Sequence, residues 1–86
     1  MKISLDHDAA LVLFDFLSRT IDVENGKKLE PAVAHDGELW ALNSLLAILE
    51  TSVSDSFDDN YPVKVSAALQ ALVSKSGAWP SSDDES

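Results

Sequence analysis

Two histidines, each followed by an aspartate, carry the side chains of this sequence that are best suited to bind a metal ion. His7-Asp8 and His35-Asp36 would supply imidazole and carboxylate ligands, as a metal-dependent hydrolase requires. Both pairs also stand where helices are predicted to begin, and an aspartate there is favoured by capping and by the helix dipole. We therefore predict that these pairs begin helices and that the protein has no metal site. A small metal-dependent hydrolase stays as an alternative hypothesis.

A second group of oxygen ligands lies in the acidic segment 55–60. Asp55, Asp58, Asp59 and Asn60 are residue types that bind calcium. A calcium-binding loop of the EF-hand kind alternates its ligands around a central glycine and closes with a glutamate. This segment has Phe57 among its ligands and contains no glycine, so a solvated acidic loop is the favoured interpretation.

Nucleophilic and cofactor-binding motifs are missing from the sequence. The chain contains no cysteine, and its three glycines are too isolated to form a phosphate-binding loop. Its serines lack the glycine-rich turn that exposes a nucleophile. We therefore predict that the protein is not an enzyme and binds no cofactor.

Three aspartates recur every seven residues early in the chain. Asp8, Asp15 and Asp22 would line up along one exposed side of a helix, about 10 Å apart. Arg19 is close enough in sequence to pair with Asp15 or Asp22. A solvated helix face is favoured over mimicry of a nucleic-acid backbone. The three aspartates are candidate contacts for a protein partner.

The two tryptophans are the other candidate partner contacts. Trp40 lies outside the leucine stripe of its helix, and Trp79 lies beyond the last predicted helix. A tryptophan in such a place either packs along a second seam or anchors an interface. The seam is favoured for Trp40. For Trp79, a lid over the end of the bundle and a free anchor are both open.

Apolar periodicity predicts the first helix, which positions the aspartates. It runs from about residue 7 to residue 24, with Asp6 as its N-cap. Asn25-Gly26 ends it, because Gly26 can adopt the left-handed conformation after the last turn.

Two further helices follow from the same periodicity. The second spans about residues 37–55, with Asp36 as its N-cap and Trp40 in its first turn. Its apolar stripe covers about half of the circumference, so we expect this helix at the centre of the fold. The third begins at Pro62 and ends before Gly77.

Three helices with connections of this length predict an all-α fold, a small antiparallel bundle. Residues 27–36 are the least regular, and a short fourth helix in 29–35 is an alternative. Residues 1–78 form the predicted single domain, and residues 79–86 a disordered acidic tail. The apolar arcs of the first two helices are wider than a three-helix monomer easily covers, so a homodimer is a secondary prediction.

Charge restricts the class of partner. The 86 residues include 15 acidic and 6 basic side chains, for a net charge of −9. Nucleic acids and anionic membranes are recognised by clustered lysine and arginine, so we predict that the protein binds neither directly. An acidic surface attracts a basic protein. The absence of cysteine, of a signal peptide and of a long apolar run predicts a cytoplasmic protein.

The sequence also resembles known groups of small proteins. The string LDHDAALVLFDFLSR over residues 5–19 resembles the opening of small, acidic, helical bacterial proteins of unassigned function. Residues 38–42, Leu49-Glu50 and Phe57 before Asn60-Tyr61 fit the same resemblance. In size and acidity the chain is similar to bacteriocin immunity proteins, short helical bundles that neutralise basic nucleases, and some of them share a Tyr-Pro before a helix. The resemblance implies a helical bacterial protein and carries over no activity and no binding residue.

The function predicted on these grounds is a non-enzymatic, acidic helical module that binds a protein partner. A basic partner that it neutralises, as immunity, antitoxin or anti-defence proteins do, is the specific version. A structural homo-oligomer without a separate partner is a further alternative.

Overall fold

The computed structural model describes residues 4–53 and 59–80, and every regular element in these ranges is helical. The prediction of an all-α fold is therefore confirmed for the described part of the chain. In chain order the elements are α1 (His7–Leu17), a π-helix (Ser18–Val23), a 3₁₀ helix (Lys27–Ala32), α2 (Asp36–Ser52) and α3 (Tyr61–Ser76).

The first predicted helix is present but changes its geometry partway along. Its last six residues, Ser18–Val23, form a π-helix that continues directly from α1. The hydroxyl of Thr20, which is buried, donates a hydrogen bond to the Phe16 carbonyl over 2.8 Å. The amide of Glu24 donates to the Arg19 carbonyl, five residues back, over 3.2 Å. Hydroxyl-to-backbone bonds of this kind compete with the α-helical ladder. Periodicity at 3.6 residues per turn does not detect the change.

The two ends of this helical segment differ in how well they were predicted. Asn25 and Gly26 end it in the left-handed conformation, with φ of 54° and 72°. This confirms the predicted stop. Asp6 stands at the N-cap position, also as predicted, but its side chain makes no capping hydrogen bond. Its carboxylate pairs instead with Lys75 over 3.2 Å, so it joins two helices where a cap was predicted.

The connection that the sequence left unassigned is a 3₁₀ helix. It spans Lys27–Ala32 and contains Pro31. A short fourth helix was the alternative for residues 29–35, and the observed helix starts two residues earlier and ends earlier.

The cap of α2 is His35, and the prediction of Asp36 as N-cap is wrong. The Nδ1 atom of His35 accepts a hydrogen bond from the amide of Gly37 over 2.8 Å, and Asp36 is already the first helical residue. An imidazole nitrogen supplies the acceptor that an aspartate oxygen was expected to supply. α2 ends at Ser52, before the predicted end at residue 55.

α1, and not α2, is the central helix. Its residue Leu11 packs with Val53, Val65 and Ala68, which joins α1 to α3 and to the end of α2. Farther along, Leu17 packs with two leucines of α2, Leu46 and Leu49. The width of the predicted apolar stripe on α2 did not identify the central helix, because part of that apolar surface is exposed to solvent. Ile48, for example, is 62% exposed.

α3 begins at Tyr61 with Pro62 in its first turn, and it ends at Ser76 before Gly77, close to the prediction. Its predicted apolar face is only partly covered. Val65 and Ala68 are buried, whereas Leu69 and Val73 are about half exposed. The homodimer that such surface suggests stays a prediction.

Several predictions fall outside the described ranges. They concern Asp55, Phe57 and Asp58 of the acidic loop and residues 81–86 of the tail. Within residues 4–53 and 59–80, no helix has both the length and the apolar character needed to cross a bilayer.

Candidate binding site beside Trp40

Trp40 is a large aromatic side chain that the fold leaves in solvent. Its side chain is 70% exposed near the start of α2, so the favoured prediction of a packing seam against another helix is wrong. An exposed tryptophan keeps a large apolar surface and an indole N–H available for contact. The residues around it therefore decide what that surface is able to bind.

An open pocket of about 410 Å³ lies beside Trp40. Three parts of the fold form its wall: the π-helix, the turn after it and, beyond the 3₁₀ helix in the chain, the first turns of α2. Its lining consists of Ile21, Asp22, Asn25, Gly26, Asp36, Leu39, Trp40 and Asn43.

The α2 side of the pocket follows from helical spacing. Asp36 and Trp40 are four residues apart, as are Leu39 and Asn43, so the four side chains share one face of the helix. This face presents a carboxylate, an indole, an amide and an aliphatic group within two turns. Helix formation alone assembles half of the site.

The opposite side depends on the π-helix and on Gly26. The π-helix carries Ile21 and Asp22 into the pocket wall. Gly26 is buried against α2, where a Cβ atom added to it would lie 3.5 Å from a methyl group of Leu39. Its amide donates a hydrogen bond of 2.7 Å to the Thr20 carbonyl, which fixes the turn onto the end of the π-helix. π-helical turns occur frequently at functional sites.

Two carboxylates of the pocket have no internal cation. Within the described ranges, the side chains of Asp22 and Asp36 take part in no ion pair and no hydrogen bond. Three of the cations of the chain are engaged elsewhere, in the pairs Arg19–Asp15, Lys28–Glu24 and Lys75–Asp6. The pocket therefore combines an exposed aromatic face with two carboxylates that are open to a cation from outside.

The predicted line of aspartates is divided between two sides of the molecule. Asp15 accepts hydrogen bonds from the Tyr61 hydroxyl over 2.9 Å and from Arg19 over 3.1 Å. Asp8 lines a shallow depression with Lys64 of α3. Asp22 lies within the π-helix, where seven residues no longer make two turns, and it lines the pocket together with residues of α2. The single line is therefore wrong for Asp22, and partner binding by these aspartates stays a prediction.

Outside the pocket, Tyr61 makes a contact between helices that sequence reasoning missed. Partial burial, first, and then its hydrogen bond to Asp15 raise the pKa of Tyr61 to about 12. Its ring meets the edge of Phe14, with ring centroids 6.4 Å apart. The hydrogen bond between Tyr61 and Asp15 joins residues 46 positions apart, so no local sequence pattern predicts it.

Trp79, the other tryptophan predicted to contact a partner, is not packed against the helices. It follows Gly77 after the end of α3 and is 88% exposed. The lid over the bundle end is therefore wrong. A role in partner binding stays a prediction.

The histidines occupy the helix starts predicted for them. His7 is the first residue of α1, and His35 caps α2 through its own Nδ1. In the part of the chain that the structure describes, no three histidine, aspartate or glutamate side chains lie close enough together to hold a metal ion.

Sequence reasoning named Asp22 and Trp40 but missed three other polar groups of the pocket, Asn25, Asp36 and Asn43. A signal was present for two of them, since Asp36 and Asn43 lie four residues before and three after Trp40. Asn25 was noted only as part of a turn. Comparison of the chain with models of protein families, with curated proteins and with solved structures finds no match.

Proposed function

We propose that this protein is a non-enzymatic module that binds a basic protein partner, with the pocket beside Trp40 as a contact surface. One observation carries the proposal: Asp22 and Asp36, two carboxylates that pair with no cation among residues 4–53 and 59–80, line the same open pocket as the exposed indole of Trp40.

The physical case rests on what each group gains from a partner. Burial of the Trp40 indole removes apolar surface from water, and tryptophan is enriched among the residues that dominate interface energetics. Cationic side chains of the partner would pair with Asp22 and Asp36. The net charge of −9 accelerates the encounter with a basic surface and repels acidic ones.

The composition of the pocket supports binding over catalysis. Its lining offers carboxylates, amides, an indole, a glycine and aliphatic groups, and among the residues that the structure describes it includes no histidine, serine, threonine, tyrosine or lysine. Nucleophilic catalysis uses a nucleophile next to a base, and the lining supplies no such pair. We place the interaction in the cytoplasm, on the ground that the chain contains no cysteine.

A homo-oligomer is the second candidate. The half-exposed Leu69 and Val73 on α3 favour it, because exposed apolar side chains one turn apart offer a surface to a second copy. Light scattering distinguishes the two: a monomer of 9.3 kDa at all concentrations contradicts self-association.

Partner capture with matched variants tests the first proposal. The full chain is immobilised as wild type, Trp40→Ala, Ile48→Ala, the double variant Asp22→Asn/Asp36→Asn, and a charge-matched double variant. Ile48 is the control for Trp40, since it lies on the same helix, is 62% exposed and does not line the pocket. Glu30→Gln/Glu50→Gln removes the same charge from exposed positions outside the pocket.

The expected result is a basic protein that the wild type and both controls retain. Loss of the Trp40 indole or of both pocket carboxylates should weaken its binding roughly tenfold or more. Calorimetry with the purified partner should show the affinity of the wild type falling as salt is raised. Binding that resists both salt and the pocket substitutions would contradict the proposal.

A further inference from the structure

We infer that the pocket beside Trp40 takes the guanidinium group of an arginine on the partner. This inference rests on the proposed function and specifies the chemistry of its central contact. It follows from the arrangement of flat and charged groups in the pocket and from charge complementarity.

The indole supplies a surface for the flat face of the ligand. A cation positioned over an indole is attracted by the negative face of the ring, and arginine is found in this arrangement more often than lysine. Trp40 is 70% exposed at the pocket edge, so its ring has room for such a partner. The one arginine of this chain, Arg19, makes the same kind of contact elsewhere, 5.8 Å from the centre of the Phe16 ring.

The acceptors around the indole fit the edge of a guanidinium. Asp36 lies one turn before Trp40 on the same helix face, and Asp22 comes from the π-helix across the pocket. Asn25 and Asn43 add amide oxygens. Arginine has five N–H donors fixed in one plane, whereas the lysine ammonium has three on a compact charge. Four acceptor side chains that line the same pocket as an indole therefore favour arginine.

The apolar part of the lining fits the rest of an arginine side chain. Ile21 and Leu39 contribute aliphatic groups to the same wall. The methylene stem of an arginine covers apolar surface while its charged end pairs with polar groups. A volume of about 410 Å³, open to solvent, admits the side chain without a change of fold.

Three small probes of graded chemistry test this inference on the full chain. They are the N-acetyl amides of arginine, lysine and citrulline, the last of which has nearly the shape of arginine without its charge. The indole N–H signals of Trp40 and Trp79 are followed by nuclear magnetic resonance and assigned with Trp40→Phe and Trp79→Phe. Trp79, at 88% exposure, is an internal control for nonspecific stacking.

The arginine probe should shift the Trp40 signal in a saturable way, with the Trp79 signal moving little. We expect binding about fivefold weaker for the lysine probe and no saturation for the citrulline probe. The double variant Asp22→Asn/Asp36→Asn should bind the arginine probe about tenfold more weakly than the wild type does. The control variant Glu30→Gln/Glu50→Gln should change the affinity for this probe less than about twofold.

Equal binding of the arginine and lysine probes would overturn the inference, as would an equal response to citrulline, an equal response of Trp79, or no response at all. Each of these results leaves the proposed function in place if a basic partner still depends on Trp40. If that partner binds independently of the pocket, the proposed function fails, whatever the probes show.

Discussion

The hydroxyl of Tyr61 donates a hydrogen bond to Oδ1 of Asp15 over 2.9 Å and so ties the start of α3 to α1. The other oxygen of Asp15 accepts a hydrogen bond from Arg19 over 3.1 Å. The Asp15 carboxylate is only 24% exposed, compared with 63% for the Arg19 side chain. This carboxylate therefore links two helices, and it is less available to a partner than the sequence pattern predicted.

Replacement of Tyr61 by phenylalanine removes this hydrogen bond and keeps the ring contact with Phe14. We expect the free energy of unfolding to fall by about 1–2 kcal/mol, because a bond to a charged acceptor is lost from a partly buried site. Urea denaturation measures the change. A double-mutant cycle with Asp15→Asn should show coupling between the two residues, and additive effects within about 0.3 kcal/mol would contradict a direct bond.

The single tyrosine makes the alkaline titration of the protein easy to read. Since the pKa of Tyr61 is raised from 10.0 to about 12, tyrosinate absorbance should rise with a midpoint near pH 12 in the folded chain and near 10 in urea. The folded state favours the neutral phenol, so this contribution to stability is complete below pH 10 and is lost between pH 10 and 12. Asp15→Asn should lower the midpoint. A folded-state midpoint near 10 would refute the assignment.

His35 should contribute to stability through its cap of α2. His35→Ala removes the acceptor for the Gly37 amide, and we expect a loss of about 1 kcal/mol. His35→Asn is the matched variant, because asparagine is a favoured N-cap and should restore most of that loss. Thermal unfolding followed by circular dichroism compares them. If alanine and asparagine behave alike, the cap contributes nothing.

Gly26 should tolerate a side chain poorly because of its backbone conformation. With φ of 72°, Gly26→Ala is expected to cost about 1–2 kcal/mol in urea denaturation. The added methyl would meet Leu39 at 3.5 Å, an ordinary contact, so the cost comes from the backbone. Asn25→Gly is the control: φ there is 54°, which glycine adopts freely, so stability should change by less than about 0.5 kcal/mol. A neutral Gly26→Ala would contradict this account.

About half of the candidate site was predictable. Asp22 and Trp40 were predicted as partner contacts from their positions on helices. The helical spacing of Asp36 and Asn43 relative to Trp40 is also visible in the sequence. The position of Asp22 in the same pocket was not predictable, because it depends on the π-helix and on the packing of Gly26 against Leu39. The exposure of Trp40, at 70%, likewise became known only from the packed structure.

By itself, the sequence determined the helical class, the start and end of the three predicted helical segments to within a few residues, and the acidic charge. The helices follow from apolar periodicity, from Gly26 in a left-handed turn and from Pro62, which are local features of the sequence. The net charge is the sum over the composition. The tertiary structure alone decided that α1 is central, that Asp15 bonds to Tyr61, and that Asp22 joins Trp40 in one pocket. The reason is that each of these depends on how helix faces pack and on the angle at which a side chain leaves its helix. One π-turn changes that angle without changing the apolar pattern.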